Sequence, residues 1–244
     1  SFALIAACAS FLHYRMRGDL AVPIIGMALF CAGFVDAFHT LAATRIIEAS
    51  SPNTDFIPFT WALSRVFNAF IMIIGCLISL RLTRKQITES TMVKDSASKV
   101  KLLLLICLCF IALAYVVVNV AATSSVLPNT MFSDALITRP YDILPLGLFL
   151  FAGALFYQLY KNGPSTVKLA LFLSVIPELA TQIYMAFGST ALFDNYFNIA
   201  HALKILAYGT VLVGVLVDVS KGSVVSTTSI NQQLANQGHL QDHK

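Results

Sequence analysis

A succession of apolar runs, most of about 20 residues and parted by short polar connectors, leaves this chain few ways to fold. The runs cover 1–14, 20–44, 57–80, 101–122, 140–160, 165–187 and 197–219. In hydrocarbon a backbone must satisfy its own hydrogen bonds, so each run reads as a membrane-spanning helix. Composition agrees: 11% of residues are charged, against about 25% in a typical soluble domain. The predicted fold class is an all-α integral membrane protein, a bundle of seven transmembrane helices over 1–219. Pro23, Pro58 and Pro140 stand near predicted helix starts. Pro145 and Pro177 lie further in and predict kinks.

The first run is short and begins at Ser1 without a charged leader. It predicts either further residues upstream or a short, tilted helix. Residues 220–244 are polar and rich in Gln, Ser and Asn. They predict a linker or tail leading to an output domain. Cys8, Cys31, Cys76, Cys107 and Cys109 all sit in apolar runs without zinc spacing and read as small apolar fillers.

Basic residues orient the stack. Arg15, Arg17, Arg81, Arg84, Lys85, Lys94, Lys99, Lys101, Lys161, Lys168, Lys221 and Lys244 fall on one side, against Arg45 and Arg139 on the other. The positive-inside rule predicts that the first group, with the C-terminus, is cytoplasmic. The expected location is a bacterial inner membrane, crossed many times. No loop has room for a soluble catalytic domain, and nothing suggests nucleic acid as a partner.

Against this apolar background the ionisable residues segregate by depth. The second run carries Asp36, His39 and Thr40, and the third Trp61, Arg65 and Asn68. Arg139, Tyr141 and Asp142 open the fifth, Glu178, Gln182 and Tyr184 lie in the sixth, and Asn198, His201, Lys204 and Tyr208 share a face of the seventh. All are expected in the outer half, with almost purely apolar inner halves. The arrangement predicts an outward-opening polar pocket. Such residues are functional candidates by default, because insertion of a charge near the bilayer centre costs about 2.5–3.5 kcal/mol. A structural alternative stays open: Asp36 with Arg65, and Glu178 with Lys204, as pairs that lock helices. His13, beside Arg15, reads as an anchor at the inner interface.

Several chemistries suit two histidines at one depth. His39 and His201, with Asp36 as ligand or orienting carboxylate, could hold a transition metal. The same two histidines could be axial ligands of a haem in a redox or electron-transfer protein. A retinal Schiff base on Lys204 is disfavoured by the depth of Lys204 and by its shared face with His201. A channel or carrier is disfavoured by the apolar inner half and by the lack of repeats.

"DAFHTLAA", "NTDFIPFTWALSRVFNA", "LITRPYDILP", "IPELATQIY" and "NIAHALKILAY" occur in an order and spacing that resembles the third family of bacterial membrane-associated sensor (MASE) domains, from about residue 20 to 219. The family's Asp-x-x-His-Thr motif falls on Asp36, His39 and Thr40, its Glu-Leu pair on Glu178 and Leu179, and its His-x-x-Lys-Ile on His201, Lys204 and Ile205. Many members carry more helix ahead of the first run, which implies an eighth helix in a longer chain. The resemblance implies a non-catalytic sensory input module, joined in cis to a cytoplasmic histidine kinase of a two-component system or to a diguanylate cyclase (GGDEF) domain. It implies a role without naming a stimulus. The expected partners are the lipid bilayer, a small ligand or metal from the outer side and, because such outputs act in pairs, a second copy in a homodimer. The seventh helix is expected to transmit the signal.

Overall fold

The structure, a computed structural model, describes residues 2–47, 51–88 and 96–241, with side chains over 2–47, 51–84 and 97–222. Lys94, Lys244 and the side chain of Lys85 lie outside the described residues. The elements are α1 (Phe2–Arg17), α2 (Ala21–Ala43), α3 (Asn53–Thr88), α4 (Ser96–Thr123), α5 (Ile143–Lys161), α6 (Thr166–Ile183) and α7 (Asn195–Gln241). A 3₁₀ turn, Pro140–Asp142, leads into α5, and a π turn, Tyr184–Gly188, ends α6.

Among the described residues six of the seven helices are long and apolar enough to cross a membrane. The exception is α1, with 16 residues. At about 1.5 Å per residue it spans about 24 Å, short of a hydrocarbon core of about 30 Å. The backbone of the polar stretch after Gly222 continues α7 without a break to Gln241. Pro145 does not kink its helix. It is the third residue of α5, where its missing amide hydrogen is among those left unpaired at any helix start. Pro177 does lie inside α6.

Neighbouring helices pack in the order α1, α2, α3, α5, α6, α7 and back to α1, closing a ring. Ser10 and Ala3 of α1 sit where side chains at Gly26 and Gly33 of α2 would otherwise stand, so these two helices approach closely. Packed chiefly on α2 and outside the ring, α4 is the most uniformly apolar helix and the least buried of the six. Its Leu104, Leu105, Leu108 and Tyr115 are exposed. A helix without a polar face has nothing to turn inward, so the membrane side suits it. The large apolar core occupies the half of the ring nearer Leu20, Leu80 and Leu159, and the buried polar residues around Arg65 fill the other half.

Candidate functional site

Four ring helices direct polar side chains to one place. Asp36 and His39 enter from α2, Trp61, Arg65 and Asn68 from α3, Glu178 and Gln182 from α6, and His201, Lys204 and Tyr208 from α7, with Asp142 from the turn before α5. Arg65, Trp61, His39 and Gln182 are fully buried, and Asp36, Asp142 and Glu178 nearly so.

Arg65 is the hub. Its guanidinium binds Glu178 through Nη2 and Asp36 Oδ2 through Nη1 at 3.5 Å. In the amide orientation that satisfies both neighbours, Gln182 accepts from Arg65 Nε (3.0 Å) and donates to Asp142 Oδ1 (3.2 Å). Trp61 Nε1 donates to the same Asp142 oxygen at 2.9 Å. On the α7 side, Tyr208 donates to Asp36 Oδ2 at 2.7 Å, and Lys204 Nζ lies 3.4 Å from Asp36 Oδ1 and 5.1 Å from the centre of the Trp61 ring. Asn68 donates weakly to Glu178 and to Tyr208, both at 3.4 Å. Buried charges persist when paired and hydrogen-bonded, and every carboxylate here has a cation or a donor. The pairing differs from one sequence expectation: Lys204 partners Asp36, whereas Glu178 belongs to Arg65.

The histidines meet edge to edge. His201 Nδ1 lies 2.8 Å from the Phe197 carbonyl, which can only accept, so this nitrogen carries hydrogen and, in the neutral ring, Nε2 is the acceptor. That Nε2 faces His39 Nε2 at 3.4 Å, while His39 Nδ1 contacts Thr60 Oγ1 at 3.0 Å. The Trp61 and Phe197 rings close over His201, with centres 4.4 and 4.2 Å away. Two imidazole nitrogens on one ion stand about 4 Å apart when opposite each other, but only about 3.4 Å apart at a tetrahedral angle, from bonds of about 2.0–2.1 Å each. The observed 3.4 Å is short of the separation that two axial haem ligands need, and matches two ligands of a tetrahedral ion. Asp36 is turned to Arg65, Lys204 and Tyr208. Among the described residues no three His, Cys, Asp or Glu side chains are grouped to hold a metal.

Five sequence candidates stand outside the hydrogen-bonded network, though Thr40 lines the groove that reaches it. Thr40 is exposed and its hydroxyl donates to the Asp36 carbonyl within its own helix. Tyr141 is 45% exposed on the flank that α3 and α5 share. Arg139 is buried at the edge of the cluster, where its Nη2 reaches the Ala191 carbonyl at 3.5 Å and its guanidinium lies 5.7 Å from the Phe197 ring. Burial pushes the Arg139 guanidinium below its usual value, and Asp142 opposes this. Tyr184 and Asn198 are also exposed.

Sequence reading missed Thr60 and Phe197, which hold the imidazoles. Thr60 lies one residue before Trp61, and its position at i−1 gave no signal of direction. It also missed a second polar group at the opposite end. Asp218 of α7 accepts from the backbone N–H groups of Thr166 (3.3 Å) and Val167 (3.2 Å), capping α6 together with Ser165. His13, expected as an interface anchor, is 3% exposed and faces Asp218 at 4.0 Å. Nearby, Lys168 pairs with Asp19 at 3.3 Å. The inner half is therefore not purely apolar.

A groove of about 520 Å³ reaches the ionic cluster on the flank between α1, α2 and α7, lined by Phe2, Ala37, Leu41 and Ile205, with Asp36, Lys204 and Tyr208 at its floor.

No curated protein and no solved structure matches the chain. A family model described as a membrane-associated sensor domain, MASE3, matches residues 2–219. With almost its whole length matched, and with the motif residues Asp36, His39, Glu178, His201 and Lys204 converging in one buried cluster, the chain belongs to the MASE3 family of membrane-associated sensor domains.

Proposed function

We propose that this sensor domain works as an input module whose buried ionic cluster has two alternative packings, that a small ligand favours one of them, and that α7 carries the difference to a cytoplasmic histidine kinase or diguanylate cyclase. A ligand moves such an equilibrium only by its difference in affinity for the two states. The observation that carries this reading is the inward stripe of α7. His201, Lys204, Tyr208, Val211, Val215 and Asp218 alternate spacings of three and four, the seam of a helix against its neighbours. The upper half of that stripe belongs to the ionic cluster, and Asp218 at its lower end caps α6. A rotation or shift of α7 at the cluster therefore changes contacts at both ends of one rigid rod. The same reading places the basic end and Gln241 in the cytoplasm, and pairs two copies so that their outputs meet.

The test joins α7 to a diguanylate cyclase reporter and measures its product. Lys204→Met and Tyr208→Phe, in protein that still melts cooperatively, are expected to shift output several-fold. Wild-type output from both variants would separate the cluster from signalling and defeat the proposal.

A further inference from the structure

The flank groove opens toward the lipid side of the ring, because its walls come from exposed faces of α1, α2 and α7. Its lining is mostly apolar, yet its floor holds an ammonium and a carboxylate. Lys204 Nζ has three donors, and of its surroundings only Asp36 is an ion partner within 4 Å among the described residues. Asp36 is 5% exposed, and its Oδ1 accepts no hydrogen bond. A donor and an acceptor thus stand 3.4 Å apart at the base of an apolar slot. Gly33 and Ala37, one turn apart on α2, thin the wall beside them.

Charge narrows the occupant. Asp36, Asp142 and Glu178 are matched in number by Arg65, Lys204 and, outside the hydrogen-bonded network, Arg139, so by formal charge nothing is left over for a charged headgroup to pair with. A charged headgroup would enter without a counter-ion, at the cost any unpaired buried charge carries. A neutral headgroup that offers a carbonyl or hydroxyl avoids this. Its oxygen accepts from Lys204 Nζ as a carbonyl, and donates to Asp36 Oδ1 as a hydroxyl. Apolar walls open to the bilayer suit a lipid tail, and a volume of about 520 Å³ is that of a small-molecule pocket. We propose that the groove binds a lipid-soluble quinone, ring inward against Lys204 and Asp36 and tail along Phe2 and Ile205. This names the ligand class for the sensor reading above, and rests on it only for the consequence of binding.

Trp61 is the sole tryptophan and lies beside Lys204, so its fluorescence reports the floor of the groove. The 244-residue chain, in nanodiscs of phosphatidylethanolamine and phosphatidylglycerol, is titrated with a decyl-tailed benzoquinone. Saturable quenching is expected, and dodecanoate should not compete. Ala37→Phe, which fills the groove from an outward-facing position, and Lys204→Met should each raise the dissociation constant by about tenfold or more, a change of about 1.4 kcal/mol. Should Lys204→Met fail to fold, Ala37→Phe alone decides. Quenching that rises linearly and equally in wild type and Ala37→Phe would mean a quinone dissolved in the bilayer only, and would overturn the proposal. Competition by dodecanoate as strong as by the quinone would overturn the neutral headgroup. The reporter fusion separates the two failures: output that still responds to Tyr208→Phe without saturable quenching leaves a sensor with another ligand, whereas saturable quenching with unresponsive output leaves a quinone site without signalling.

Discussion

The two polar regions of this bundle are built on opposite principles. Around Arg65, charged groups satisfy one another: each carboxylate has a cation or donor, and four helices share the network. At the other end, Asp218 serves the backbone, accepting from the first amides of α6, while His13 is buried with neither ring nitrogen in a hydrogen bond and only a 4.0 Å approach to Asp218. The first region gains specificity from mutual dependence, so removing any member leaves a buried charge exposed to hydrocarbon. The second is modular, because a cap can be lost without stranding another charge.

The largest effect should come from breaking the hub. Arg65→Met leaves Glu178 and Asp36 without their shared cation, and is expected to cost about 3–5 kcal/mol, read as loss of the cooperative melt. A double-mutant cycle sharpens the point. Arg65→Gln with Glu178→Gln should show a coupling of about 0.5–3 kcal/mol, whereas Glu178→Gln with Lys204→Met should couple less. Equal coupling in the two cycles would mean that Glu178 is shared between the cations after all. Asp218→Ala should cost about 1 kcal/mol, the loss of a helix cap, and comparison with Arg65→Met in the same detergent checks the ranking. His13→Phe should go the other way, raising the melting temperature slightly, since an unsatisfied buried imidazole is exchanged for an apolar ring. A clear loss of stability would reveal that His13 holds a partner.

A third polar element adds a pH test at the smallest scale. Asp194 caps α7, accepting from the backbone N–H groups of Thr190, Ala191 and Phe197. Burial raises its carboxyl, but these donors outweigh that and hold it below the usual carboxylate value. The folded value is the lower one, so the stabilisation is complete above the unfolded value and fades as pH falls through the folded one. Asp194→Asn should flatten the acid limb of a melting-temperature profile below about pH 4, near the unfolded carboxylate value. An unchanged limb would place the acid sensitivity elsewhere.

Much of the fold was legible because hydrocarbon is an unforgiving solvent. Length and apolarity located α2 to α7 and their starts to within about five residues, while the ends of α3 and α7 run on past the apolar stretches to Thr88 and Gln241. Depth along each helix brought Asp36, Arg65, Glu178, His201 and Lys204 to one level, since a rise per residue is fixed whatever the helix packs against. What the sequence could not carry was azimuth and partnership. Tyr141 lies on another flank of the bundle and Thr40 lines the groove without joining the ionic network, and Lys204 chose Asp36 over Glu178 because ring order sets which helices stand opposite. His13 and Asp218 were invisible as a pair, being 205 positions apart and joined only where α7 closes the ring onto α1. The one-dimensional pattern therefore determined which residues lie in the membrane and how deep. The closing of six helices into a ring decided which of them touch, because contact between helices depends on rotation about their axes, and no local preference records it.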